Sequence, residues 1–153
     1  MSEGKCPSGL VVLAVLNFLF GANAVLSAVG MLFFSKLFNF LASQHDDPEM
    51  HAIVRAWDAI GDGVFYTTFV LTLVVAALLI ASGVGFLTQK RFLGRTLGNL
   101  CALLSIASSL VWAYGVESEE IGGGWSLIVI LGLVYPVLSL VLLNTTFKED
   151  FVR

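Results

Sequence analysis

Four stretches of this chain, 9–34, 64–87, 97–116 and 125–143, run without a single Asp, Glu, Lys, Arg or His. A hydrocarbon layer about 30 Å thick is crossed by about 20 apolar residues at a helical rise of about 1.5 Å each. All four stretches have roughly that length or more. In hydrocarbon no water can satisfy the backbone, so each peptide group must find its partner within the segment or in a closed barrel. The runs are continuous and lack the period-two alternation of barrel strands, which predicts helices. Composition agrees. Hydrophobic residues make up 58% of the 153 residues and charged residues 12%, against about 45–50% and about 25% in soluble domains. That excess is too large for one small core.

The expected fold is therefore all-α: a single integral membrane domain over 1–153, built as a four-helix transmembrane bundle. The first apolar run has 26 residues, longer than a signal h-region of about 7–15 residues, and no clean A-x-A site follows it. It is read as a retained span. Cys6 precedes that run and Cys101 lies far away, so neither a disulfide framework nor a CxxC pair exists.

The links differ in kind. Residues 88–96 carry Lys90, Arg91 and Arg95 with no acid, while 117–124 carry Glu117, Glu119 and Glu120 and then three glycines. Short links make neighbouring helices antiparallel. With four spans, Lys5, Lys90, Arg91, Arg95, Lys148 and Arg153 share one side, and only Lys36 and Arg55 lie on the other. By the positive-inside rule the six-residue side is cytoplasmic, so both termini are expected there. The long outer link, 35–63, holds its own pattern. Asp47 can cap a helix, Pro48 suits its first turn, and Met50, Ile53, Val54, Trp57 and Ile60 recur at helical spacing. Gly61 stands where a C-cap glycine belongs. A short amphipathic interfacial helix is expected over 48–60 in the extracytoplasmic link, either lying in the headgroup plane or covering the outer ends of the spans. Leu37, Phe38, Phe40 and Leu41 before it suggest that the chain leaves the first span slowly, with Lys36 reaching out to water.

Lipid gives helices no hydrophobic reason to associate, so small residues that allow close approach carry more of the packing. The candidates recur at four-residue spacing: Ala24 and Ala28, with Gly21 a turn away; Ala77, Ala81 and Gly85; Gly94, Gly98 and Ala102. They can serve contacts within the chain or between chains. Asn17, Asn23, Thr67, Thr68, Thr72, Asn99, Ser105, Ser108 and Ser109 can hydrogen-bond across helices or line a polar path. Tyr135-Pro136 falls inside the fourth stretch, where proline removes one helical hydrogen bond.

Several chemistries find no footing. Coupled transporters and pumps use ionisable residues within the membrane, and membrane haem commonly uses His; the four stretches hold neither. His45, Asp46, Asp47, Glu49 and His51 are metal-ligand types, but their spacing fits no defined zinc or calcium motif. No metal, cofactor or catalytic residue is assigned, and no basic stripe suggests nucleic acid. The basic link at 89–95 orients the chain and can touch anionic headgroups. The expected function is non-enzymatic: an accessory or scaffold subunit that binds a membrane partner or lipid. An oligomeric channel or facilitator for a small solute is the alternative. A metal-dependent or enzymatic role of the outer link comes third.

The opening Cys6-Pro7-Ser8-Gly9-Leu10-Val11-Val12-Leu13-Ala14-Val15-Leu16-Asn17-Phe18 resembles the start of a loose, largely uncharacterised group of small prokaryotic four-span membrane proteins. Their chains enter the first helix through a basic-Pro-x-Gly stretch; here Cys6 takes the basic place. Gly83-Val84-Gly85-Phe86-Leu87, followed by Lys90-Arg91-Phe92-Leu93-Gly94-Arg95, is similar to their second-span exit and basic loop. The resemblance implies four spans in a plasma (inner) membrane. It implies no activity and no site residues.

The orientation is open to direct test. Cys6 should react with a membrane-impermeant thiol reagent only after the cytoplasmic face is opened, and labelling in intact cells would reverse the assignment.

Overall fold

The computed structural model describes residues 6–44, 48–116 and 125–151, without the side chains of Ile128 and Leu131. Among them every regular element is helical: α1 (Ser8–Gln44), α2 (Pro48–Ala59), α3 (Asp62–Leu87), a π-helical turn (Phe92–Thr96) running into α4 (Leu97–Gly115), and α5 (Leu127–Asn144). Three segments, α1, α3 and Phe92–Gly115, are long and apolar enough to cross a membrane. Their outer faces require such a solvent. Only 28%, 39% and 22% of their most apolar windows are buried within the chain. Leu19, Leu26 and Phe33 are among the many large side chains pointing outward.

The first helix departs from its expected bounds. It does not stop near residue 34 but continues unbroken to Gln44. No proline interrupts 31–44, so nothing in the backbone ends the helix there. Its 37 residues reach about 55 Å at about 1.5 Å per residue. This exceeds a hydrocarbon layer of about 30 Å by several turns. The amphipathic segment forms α2 and packs on α1. Met50, Ile53, Val54 and Trp57 are half-buried, Ala56 and Ile60 are buried, and Glu49, Arg55 and Asp58 face out. The expected cap Asp47 lies outside the described residues. Gly61 does not act as a left-handed C-cap. Its φ of −55° and ψ of 140° are extended, and it stands before α3 instead. Its carbonyl accepts from the Val64 and Phe65 amides at 2.9 and 3.1 Å. With α3 starting at the next residue, the glycine has no room to finish one helix before opening another.

The turn after α3 is tight. Lys90 N donates to Gly85 O at 3.2 Å and Gln89 N to Phe86 O at 3.3 Å, with Gln89 at a φ of 51°. This is the paired bonding of a Schellman motif, with glutamine where glycine is usual. The turn lays the π-helical segment against the end of α3. A β-carbon on Gly85 would strike the backbone of Leu93 and Gly94, and one on Gly94 would strike the Phe151 ring. The segment after α5 folds back over the same end. Phe151 packs on Phe86 with ring centroids 6.1 Å apart, and the Phe147 ring covers Gly9. Leu10, Leu13, Ala14, Phe86, Leu143 and Phe151 form one buried cluster there.

The close contact at Gly85 has a measurable consequence. Gly85→Ala should cost about 1–3 kcal/mol, as overpacking does. Gly63→Ala, with open space around it, should stay within about 1 kcal/mol of the parent. Thermal unfolding in mild detergent compares the two, and equal midpoints would contradict the packing.

Candidate functional site

Three polar side chains from three helices meet at one buried place. Asn17 projects from α1 on the buried arc formed by Leu10, Leu13, Ala14, Gly21 and Ala28, which recur at helical spacing. Its Nδ2 donates to Ser82 Oγ of α3 at 2.7 Å. Ser82 Oγ in turn donates to Leu79 O at 3.1 Å. From α5 the Tyr135 hydroxyl donates to Asn17 Oδ1. The chain of donors thus runs Tyr135, Asn17, Ser82 and the α3 backbone. It joins three helices through one amide whose two ends are both used. Asn17 is 3% and Ser82 0% exposed, so neither can turn to water instead. Phe20 shields the tyrosine, with ring centroids 4.5 Å apart.

A void of about 10 Å³ lies beside this relay, with Cys101, Ser105 and Ser139 among its lining residues. That is the scale of one water molecule. Ser139 is buried and its Oγ has no partner among the described residues. Cys101 is buried, with Sγ 3.7 Å from Val75 O. The void holds no titratable carboxylate, imidazole or lysine. The arrangement can orient three helices.

A second polar contact sits between α4 and α5. Asn99 and Asn144 exchange amide hydrogen bonds at 3.2 and 3.0 Å, and an Arg95 guanidinium nitrogen donates to Asn144 Oδ1 at 3.3 Å. Asn144 also donates to Leu140 O at 2.8 Å. These groups are exposed, so water competes with the contact.

The expected packing residues fall in different places. Ala28, Gly85, Gly94, Gly98 and Ala102 are buried, Ala24 and Ala81 are half-buried, and Ala77 is exposed. Gly98 lies under Leu143 and Phe86. On α3 the buried arc follows Val75, Ala76, Leu79, Ser82, Gly83 and Phe86, so Ala76 takes the inward place beside the outward Ala77. Among the polar candidates, Asn17 and Asn99 bond between helices, while Asn23 and Thr67 are exposed. Thr72 bonds the Thr68 carbonyl of its own helix at 2.8 Å, and Thr68 Oγ1 is buried without a partner among the described residues. Ser82, Tyr135 and Asn144 escaped the sequence reading. Tyr135 was visible only as the neighbour of Pro136. His45, Asp46, Asp47, Glu117, Glu119 and Glu120 lie outside the described residues.

No protein-family model, no curated protein sequence and no solved structure matches this chain. Its function must be argued from its own residues.

The relay makes a specific demand. Asn17→Ala removes the donor to Ser82 Oγ and the acceptor of the buried Tyr135 hydroxyl and should cost about 1–3 kcal/mol. Tyr135→Phe removes one membrane hydrogen bond and should cost about 0.6–1.7 kcal/mol. Asn23→Ala, at an exposed position, is the control, and unfolding in detergent that ranks it with Asn17→Ala would refute the relay.

Proposed function

We propose that α1, α3, α4 and α5 cross the membrane as a four-helix bundle with both ends cytoplasmic, and that the protein is a non-enzymatic accessory or scaffold subunit. It binds a membrane partner or lipid through its outer surface. The resemblance to small prokaryotic four-span proteins points the same way and suggests the plasma (inner) membrane. The 18 residues of α5 extend about 27 Å at about 1.5 Å each, close to the thickness of the hydrocarbon layer.

The distribution of side chains along the helices supports this placement. Lys90, Arg91, Arg95 and Lys148 lie at the end where Phe147 and Phe151 fold back. Trp57, Tyr66, Tyr114 and Trp125 lie toward the opposite end, where such rings anchor a helix in the headgroup region. Tyr114 and Trp125 make an edge-to-face pair there at 5.4 Å. The interfacial placement of α2 follows from the same boundary.

The observation that carries the reading is the narrowness of the interior space. Asn17, Ser82 and Tyr135 satisfy one another inside, Ser139 beside them keeps a buried hydroxyl without a partner among the described residues, and the space there is about 10 Å³. A solute path within one chain would need a wider polar lumen. The alternative, an oligomeric channel or facilitator, draws on Asn23 and Thr67. Both are exposed, Asn23 on α1 and Thr67 on α3, and a second copy could line a path with them.

Extraction in native-lipid particles followed by mass spectrometry separates the readings. The accessory reading expects a stoichiometric protein or lipid companion, and liposomes holding the pure protein should show no solute flux. Flux that disappears in Asn23→Leu would favour the channel instead.

A further inference from the structure

Two hollows meet at the far end of α1, and Trp57 of α2 lines both. The first is an open, mostly apolar groove of about 420 Å³ along α1, walled by Leu26, Ser27, Gly30, Met31 and Phe34. The second is a pocket of about 210 Å³ whose lining includes Asn39, Asp58, Asp62, Phe65 and Tyr66. The pocket combines two carboxylates with three aromatic rings. Trp57 and Phe65 stand edge-to-face at 6.4 Å and 75°, and Phe65 and Tyr66 at 5.6 Å and 86°. Rings set at such angles present both faces and edges to one small space. An organic ammonium is attracted by ring faces and by carboxylates alike. The two basic residues of this end, Lys36 and Arg55, are not among the residues lining either hollow.

Depth argues for the source of that ammonium. Counted from Gly9 at about 1.5 Å per residue, Leu26 lies about 26 Å along α1 and Asn39 about 45 Å. A hydrocarbon layer of about 30 Å therefore ends within the groove. The groove reaches down to acyl-chain depth. On α3, counted from Leu87 at the same rise, Tyr66, Phe65 and Asp62 lie about 32, 33 and 38 Å along, at headgroup depth, while Asn39 of α1 stands farther out. One molecule with an apolar tail and an ammonium head matches both.

We propose that this outer-end site binds an aminophospholipid such as phosphatidylethanolamine, with an acyl chain in the α1–α2 groove and its ammonium between Asp58, Asp62 and the Trp57–Phe65–Tyr66 rings. The assignment rests on the bundle reading above, and it names the lipid partner that reading leaves open. α2 then acts as the clasp of the site, because among the described residues Trp57 borders both the tail and the head.

The test titrates the purified full chain in mild detergent with short-chain phosphatidylethanolamine, short-chain phosphatidylglycerol and free ethanolamine, read by native mass spectrometry. Phosphatidylethanolamine should bind in preference to the other two. Asp58→Asn/Asp62→Asn should weaken it about fivefold or more, since two exposed charge contacts are lost. Phosphatidylglycerol should be unaffected by that change. Tyr66→Ala, which removes an exposed ring, should weaken phosphatidylethanolamine in the same direction and guards against a folding defect in the double variant. Equal binding of phosphatidylglycerol would overturn headgroup recognition. Equal binding of free ethanolamine would make the ligand a soluble amine and overturn the lipid. A dimer that excludes lipid would assign the groove to a second copy and also overturn it. Solute flux in liposomes would sink the accessory reading while leaving the headgroup comparison measurable, so the two failures are distinguishable.

Discussion

A helix surrounded by hydrocarbon gains little by burying leucine against leucine, because lipid offers the same contact. What lipid cannot offer is a hydrogen-bond partner or a backbone surface that fits at close range. The Asn17 amide supplies the first, taking the Tyr135 proton on one side and giving its own to Ser82 on the other. Gly85 supplies the second, with the Leu93–Gly94 backbone where its side chain would be. One holds the middle of the helix group together and the other closes its basic end. The remaining apolar packing is arranged around these two fixed points.

The two ends of the molecule are built differently. At the basic end, a tight turn, a π-helical segment and the returning Phe147 and Phe151 make a compact plug over Leu10, Phe86 and Leu143. At the other end α1 runs well past the thickness of a bilayer, and α2 leans on it at the side. Two hollows lie there, one along α1 and one between α1, α2 and α3, with Trp57 of α2 bordering both. The closed end suits anchoring, and the open end suits recognition. This asymmetry links the accessory reading to the lipid site.

Uncharged length is legible from sequence because it depends on residue type alone: 64–87 and 97–116 fall close to α3 and α4, whereas 9–34 is only the first part of α1, which continues to Gln44. Helical periodicity was equally legible in Met50, Ile53, Val54 and Trp57, which form the inner face of α2. Small-residue spacing was less decisive. It does not distinguish the buried Ala76 from the exposed Ala77, since adjacent residues on a helix differ by about 100° of rotation and both rows contain alanine. The Asn17 relay was half-visible: the amide stood out, but Ser82 and Tyr135 are 65 and 118 residues away in the chain. No local rule pairs residues at such distances.

The sequence by itself determined which segments need hydrocarbon around them, that they are helices, and where the basic residues gather. Those properties follow from side-chain solvation and backbone hydrogen bonding within one segment. Only the tertiary structure decided which face of each helix turns inward, that Gly61 opens a helix instead of ending one, and that Asp58, Asp62 and three rings share a pocket. Each of these depends on the rotation and offset of one helix against another. Contacts between segments distant in the chain set those angles, and the order of residues does not record them.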